Sequence, residues 1–457
     1  MSNKSNHELD MVHGSIFPKI FVYSVPLALS GILQLLFNAA DVIVLGRFVG
    51  SNELAAVGST GSLIALLVNF FIGLSVGVNV AVSSGYSAGK TEEVSRVVHT
   101  SVTLSLLSGI FLLIVGELVA RPMLVFMGSP EEILPLSLTY VRIYFAAVPF
   151  ILVYNFGAAI LRSIGDTRRP FYFLFAAGVI NLILNLIFVL VFHMGVTGVA
   201  LATDISNAVS AILVVITLVR EKSCLKLDFR RLTLDRSALK RITSIGLPAG
   251  IQSVFFNISN VLIQSSVNSL GATVMAGNAA AISVEGFYNT AYSSITSAAI
   301  TFTSANVGAG KYSRLDRVRR CSLLASVCIC GAFSVIYLLF GRYFLKLYTT
   351  EKEVVEWGMV RLTIFACTYF LGSFMDIMSA ILRGLGKSIL PMFVSLGGAV
   401  GFRLFWIYAV FAQHPSYTVL LIGYPISWFL TFLIHFLVLM HVRKSLPKED
   451  LPEKTGP

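Results

Sequence analysis

The chain has 457 residues, of which 56% are hydrophobic and 12% charged, and its mean hydropathy is +0.82. Soluble domains are nearer ~45–50% apolar and ~25% charged, so a water-exposed globule is excluded and a membrane-embedded chain expected. The net charge of +11 is spread over short loops without a recognition motif, which points to membrane topology and away from nucleic acid.

A polar head runs to about Lys19, and the apolar stretch beyond it reaches Val49 with no Ala-x-Ala-like cleavage site. It reads as a retained first span rather than a signal peptide. Twelve spans are predicted, at 18–46, 54–86, 96–119, 135–158, 171–192, 196–219, 243–268, 276–307, 318–340, 354–381, 389–411 and 417–441. Each is long enough to cross a hydrocarbon core ~30 Å thick as a helix. Alternating ten-residue strands are absent, which rules against a β-barrel. The fold class is therefore all-α integral membrane, with six plus six helices.

The loops, taken alternately, place 26 of the 34 Lys and Arg residues on one side and five on the other, and Arg142, Arg361 and Arg403 within spans. Because cytoplasmic loops carry the basic excess, both termini and the basic segment 220–241 are expected in the cytoplasm. The expected domains are a lobe over 1–219, a linker over 220–241, a second lobe over 242–441 and a tail over 442–457.

The halves repeat one another. ILRSIGDTRRP at 160–170 returns as ILRGLGKSILP at 381–391, an offset of 221, and Ala88-Gly89-Lys90 returns as Ala309-Gly310-Lys311 at the same offset. An even number of spans per half makes the repeats parallel, so two six-helix lobes are expected around a central cleft. Ser129-Pro130-Glu131-Glu132 and Thr350-Glu351-Lys352-Glu353 read as helix caps. Pro26 and Pro248 can kink or unwind the first span of each lobe. Gly73-x-x-x-Gly77 and Gly397-x-x-x-Gly401 would let helices approach closely. The five cysteines, Cys224, Cys321, Cys328, Cys330 and Cys367, lack metal-ligand spacing and read as reduced core fillers.

No Walker loop, HExxH, GxSxG or dinucleotide fingerprint is present, so nothing marks an enzyme and no cofactor is expected. What remains is a set of acids at membrane depth, Asp41, Asp204, Glu285 and Asp376, each costing ~2.5–3.5 kcal/mol unless it faces a cavity or a partner. Asp41 has a bland reading, an interfacial carboxylate that snorkels or pairs with Arg47. Its functional reading groups it with Asn181 and Asn185, four apart on one helix face, and with Thr203 in the next span. These oxygens suit a hard cation such as Na⁺ at Asp41, Asn181 and Thr203, and equally a proton relay. Asp204 lies about 100° around the helix from Thr203 and could join the set. Glu285 and Asp376, with Asn257 nearby, could form a second site for substrate or ion. Asp376 could instead compensate Arg383, ~10 Å along the same helix face.

FNAADVIVLGRFVG at 37–50, the paired ILRxxG motifs, INLILNLIF, GVALAT and the six-plus-six pattern together resemble the multidrug and toxic compound extrusion (MATE) transporters over about residues 15–440, most of all the bacterial DNA-damage-inducible type. The resemblance implies a V-shaped pair of lobes in the bacterial inner membrane that alternates between inward- and outward-open states. Exchange of H⁺ or Na⁺ would drive export of bulky, often cationic and lipophilic small molecules, with the lipid bilayer as surroundings and a monomer as the expected state. Asp41, Asn181 and Thr203 match the family's N-lobe cation site, whereas many members have aspartate where this chain has Asn185. Glu285 lies in VEGF, similar to the family's IEGF, and Asp376 stands where glutamate is common. A lipid-linked-precursor flippase or a dedicated metabolite exporter is the main rival. It would favour a strongly cationic cleft, whereas the intramembrane charges read as mainly acidic. A membrane enzyme or receptor lacks a motif or a signalling domain.

Overall fold

The computed structural model describes residues 8–128, 130–447 and 449–452, and every regular element among them is helical. The first half contains α1 (Phe17–Phe48), α2 (Ser51–Ser87), α3 (Thr91–Phe126), α4 (Leu134–Ser163), α5 (Arg168–Leu186) and α6 (Gly195–Arg220). The second contains α7 (Arg236–Asn268), α8 (Ala272–Gly308), α9 (Leu315–Lys346), α10 (Lys352–Gly384), an eleventh span over Ile389–Phe411 and a last helix, Tyr417–Lys444. All twelve expected spans are present. Among the described residues eleven are long and apolar enough to cross a membrane. The exception is α8, whose Asn278, Glu285, Asn289 and Thr290 make it too polar for lipid on every side.

The repeat is written into the turns. Gly50 and Gly271, Gly89 and Gly310, and Gly165 and Gly386 all take positive φ, and each pair is 221 residues apart. At the ILRxxG ends, Asp166 N–H reaches Leu161 C=O at 3.2 Å and Lys387 N–H reaches Leu382 C=O at 2.9 Å. That six-to-one bond needs a left-handed residue before it, which glycine adopts without a Cβ clash.

The chain forms two compact units, and they exchange segments across the expected 219/242 boundary. The first unit includes Leu29–Gly250, and the second joins Leu9–Ala28 to the chain from Ile251 onward. Early residues belong to the second unit because Ile16, Ile20 and Tyr23 are buried with Phe302, Ile377 and Leu439. Tyr23 also shares a 2.9 Å hydrogen bond with Thr301. The start of α7 belongs to the first unit because its glycines meet those of α2. A Cβ on Gly73 would lie 2.5 Å from Gly250 Cα, and one on Gly246 would lie 2.6 Å from Leu74 C=O. Both divisions fall within a turn of Pro26 and Pro248, yet α1 and α7 continue through their prolines without unwinding.

The 220–241 segment is no free tether. Leu225 and Leu227 are buried in the first unit's core, Asp228 N–H donates to His99 Nε2 at 3.1 Å and Asp235 N–H to Thr100 Oγ1 at 3.2 Å. Asp235 then caps α7, accepting from Ala238 N–H at 2.8 Å. Burial pushes the Cys224 thiol up to about 11, which favours the protonated thiol over the thiolate.

The expected cap at Ser129 lies outside the described residues. Several local expectations on described residues fail. Thr350 makes no capping bond; Thr349 Oγ1 accepts from Glu351 N–H at 3.2 Å, because that register suits a local hydroxyl turn. Gly397 faces open space, and the close approach belongs to Gly398, whose Cβ would fall 3.1 Å from Thr431 Cβ. Of the cysteines only Cys330 is buried in a core, and Cys328 and Cys367 are exposed on their spans.

Candidate functional site

In the first unit, α1 and α5 meet where Gly178 admits the Phe37 ring; a Cβ there would overlap it. Asp41, one turn beyond Phe37 on α1, faces Asn185, two turns beyond Gly178 on α5. Asn185 Nδ2 donates to Asp41 Oδ1 and to Asn181 Oδ1, the latter at 3.2 Å. Asn181 Nδ2 continues the chain to Thr203 Oγ1 on α6 at 3.3 Å. The structure thus brings Asp41, Asn185, Asn181 and Thr203 into one line across three helices, with both asparagines buried. Asp41 makes no ion pair among the described residues, so the expected pairing with the exposed Arg47 is absent. Asp204 is not hydrogen-bonded to this line, and its Oδ1 is buried without a partner. Tyr140 of α4 lies within electrostatic reach of both Asp41 and Asp204 and links their surroundings. Just past Asn185 the helix widens into a π turn, Ile187–Val191, a distortion frequent at functional sites.

The donor set can be tested against a cation. Asn185 Oδ1 and Asp204 Oδ1 are buried oxygens without partners, and Asp41, Asn181 and Thr203 supply further oxygens. Yet amide nitrogens, not oxygens, face Asp41 and Thr203. A proton acceptor fits these residues as they stand. A Na⁺ ion fits once the Asn185 amide turns its orphaned oxygen towards Asp41.

In the second unit, Glu285 of α8 and Asp376 of α10 both line a cavity of about 780 Å³. The expected partner Asn257 is not among the residues lining it, whereas Phe256 and Asn260 are, since α7 turns about 100° per residue. Glu285 is taken by Arg361, Nε to Oε1 and Nη2 to Oε2, both at 2.9 Å. Arg361 Nη1 and the Tyr417 hydroxyl both donate to Asn278 Oδ1 at 2.9 Å. Asp376 accepts from the Tyr292 hydroxyl at 2.8 Å and has no ion pair with Arg383. Arg383 instead donates to Gln252 Oε1 at 2.6 Å. Arg403, 6% exposed, stacks 4.3 Å from the Tyr424 ring centroid and donates Nε to Ser427 Oγ at 3.2 Å.

These arginines correct the expectation of mainly acidic intramembrane charge, because the cavity is lined by two carboxylates and three guanidiniums. A signal for them was present in the sequence. Arginines inside predicted spans require partners at membrane depth, and Arg361 and Arg403 were such residues.

Comparison with known proteins agrees with the architecture. The chain is 28% identical over 429 residues to the probable multidrug resistance protein YoeA of Bacillus subtilis, covering 92% of each. It is 23% identical over 348 residues to the FAD transporter of Shewanella oneidensis, covering 75% of this chain and 76% of the other. A solved outward-facing multidrug resistance MATE family transporter of the MOP superfamily superposes with a TM-score of 0.89 at 22% identity, covering 97% of this chain and 99% of the other. The MatE family model matches twice, over residues 26–187 and 248–409, once in each repeat. The chain is therefore a multi-pass membrane protein that belongs to the MatE family of transporters.

Proposed function

We propose that the protein is a secondary active exporter of bulky lipophilic compounds, driven by exchange for protons through Asp41. One observation carries the reading. The line Asp41, Asn185, Asn181, Thr203, with both asparagines buried, ties a carboxylate to three helices. Protonation of Asp41 weakens its acceptance of the Asn185 N–H and so biases the packing of α1 against α5 and α6. One elementary charge moved across the membrane is worth ~2.3 kcal/mol per 100 mV, enough to shift a two-state equilibrium tens-fold. Both termini lie in the cytoplasm and the membrane is the bacterial inner membrane, by the excess of basic residues on one side. The relative named as a multidrug resistance protein supports drug export.

A second reading, a flippase or a dedicated metabolite exporter, is favoured by the three arginines of the second unit's cavity and by the relative named as an FAD transporter. The test is export from proteoliposomes of rhodamine 123 and fluorescein, run in parallel under an imposed pH or Na⁺ gradient. Proton-driven export of either dye that falls at least about tenfold in Asp41→Asn supports the proposal. Full export by that variant removes Asp41 from coupling, and a response to Na⁺ alone replaces the proton with Na⁺.

A further inference from the structure

The cavity of the second unit has the opposite polarity to the polar line of the first, although the two halves repeat. At the repeat offset of 221–222, Asp41 corresponds to Leu262 or Ile263, and Ile263 lines the cavity. At an offset of 222, Asn181 corresponds to Arg403. The local backbone repeats as well. A π turn follows in both halves, Ile187–Val191 in the first and Ile407–Phe411 in the second, with Arg403 four residues before its turn and Asn181 and Asn185 six and two residues before theirs. Near the places of the acid and the amide, the second half thus carries an apolar side chain and a cation.

The cavity's own acids do not restore a cation site. Both oxygens of Glu285 are held by Arg361. Asp376 is bonded to Tyr292 and is within electrostatic reach of both Arg383 and Arg403, so it offsets one positive charge of the two. A surplus of one guanidinium remains. Among the described residues, the two terminal nitrogens of buried Arg403 have no protein acceptor, and Arg383 Nε is buried without one. The terminal nitrogens of Arg403 open on the cavity, where an anionic acceptor can reach them and make charge-assisted hydrogen bonds. The walls beside them are aromatic, with Tyr288 and Tyr369 stacked at 3.7 Å and Phe365, Tyr424 and Trp428 packed together.

We propose that this cavity binds an anionic group, a carboxylate or phosphate, of a ring-bearing amphipathic compound, with Arg403 and Arg383 taking the anion and the aromatic wall taking the rings. The volume of about 780 Å³ accommodates a compound of several fused rings. The inference names a substrate class for the export reading, but binding itself requires no gradient and no Asp41. Failure of coupling and failure of this site are therefore separate results.

The experiment is equilibrium fluorescence polarisation with the full chain in neutral phosphatidylcholine nanodiscs. Fluorescein and rhodamine 123 serve as probes because they share a three-ring xanthene and differ in charge. Fluorescein is expected to bind at least about tenfold more tightly. Arg403→Gln and, separately, Arg383→Gln should each remove most of that preference, while Arg403→Lys, which keeps the charge, should keep much of it. A melting temperature near wild type in any one of the neutral variants is enough to separate lost charge from lost fold. Displacement of bound fluorescein by short-chain phosphatidylglycerol and not by benzoate identifies the natural anion as a lipid headgroup; the reverse pattern identifies a soluble carboxylate. Equal or tighter rhodamine binding, or fluorescein binding that ignores both arginine-to-glutamine changes, overturns the proposal.

Discussion

Glu285 shows how a single partner changes the meaning of a residue. As a lone acid in a predicted span it invites a role in ion or substrate binding, but with both oxygens on Arg361 it is half of a buried ion pair. Breaking such a pair leaves an unpaired buried charge and costs ~3–5 kcal/mol, whereas replacing both members with apolar groups is often neutral. Thermal unfolding in detergent should therefore find Glu285→Gln strongly destabilised, and Glu285→Gln with Arg361→Met substantially recovered. A single variant as stable as wild type would mean the pair is not structural. Asp41, by contrast, was legible from spacing: Asn181 and Asn185 four apart, with Thr203 one span on, are the groups the fold assembles. What composition could not supply was the acceptor of each buried donor. That depends on how helices rotate about their axes, and so Asn257 falls off the cavity wall while Gln252 enters the network on it.

At the scale of the element, helix existence and order were read from hydrophobic run length and hold, with ends that differ by up to seven residues where α3 and α7 extend beyond the apolar run. Helix contacts were less legible, because GxxxG spacing says nothing about which face meets a partner. Gly73 and Gly77 do meet another helix, and their partners Gly246 and Gly250 have the same spacing. Gly246→Val should force α2 and α7 apart and cost ~1–3 kcal/mol or more by overpacking, read as lower yield of folded protein and a lower melting temperature. Gly397→Ala, facing open space, should stay within about 0.5 kcal/mol of wild type. Equal behaviour of the two variants would remove the glycine seam as a determinant of packing. At α5, Gly178→Leu should drive the Phe37 ring off the helix and lower the proposed Asp41-dependent export through misplacement of Asp41, even in protein that still inserts.

For the molecule as a whole, the duplication was plain from two motifs at one offset, but the true edges of the units were not. They are set by which buried faces match, and a basic loop reads as a boundary whether or not it is docked. The docked segment 223–235 should resist limited proteolysis, since Leu225 and Leu227 are buried and its backbone is bonded to His99 and Thr100. Rapid cleavage there in folded protein would contradict that packing. A chain cut after the exposed Phe229 should give halves that co-purify when co-expressed, and each half alone should accumulate poorly, because each lacks a segment that its unit requires.

The exchanged first segment also bears on biosynthesis. Tyr23 leaves the ribosome 278 residues before its hydroxyl partner Thr301. At ~5–20 residues per second that interval is roughly 15–55 s. During this time the front of α1 must be held by lipid or the insertion machinery, not by its native neighbours. Translational pauses placed between the repeats should therefore lengthen the period in which the nascent chain is open to quality-control proteases, even though the first MatE repeat is already complete.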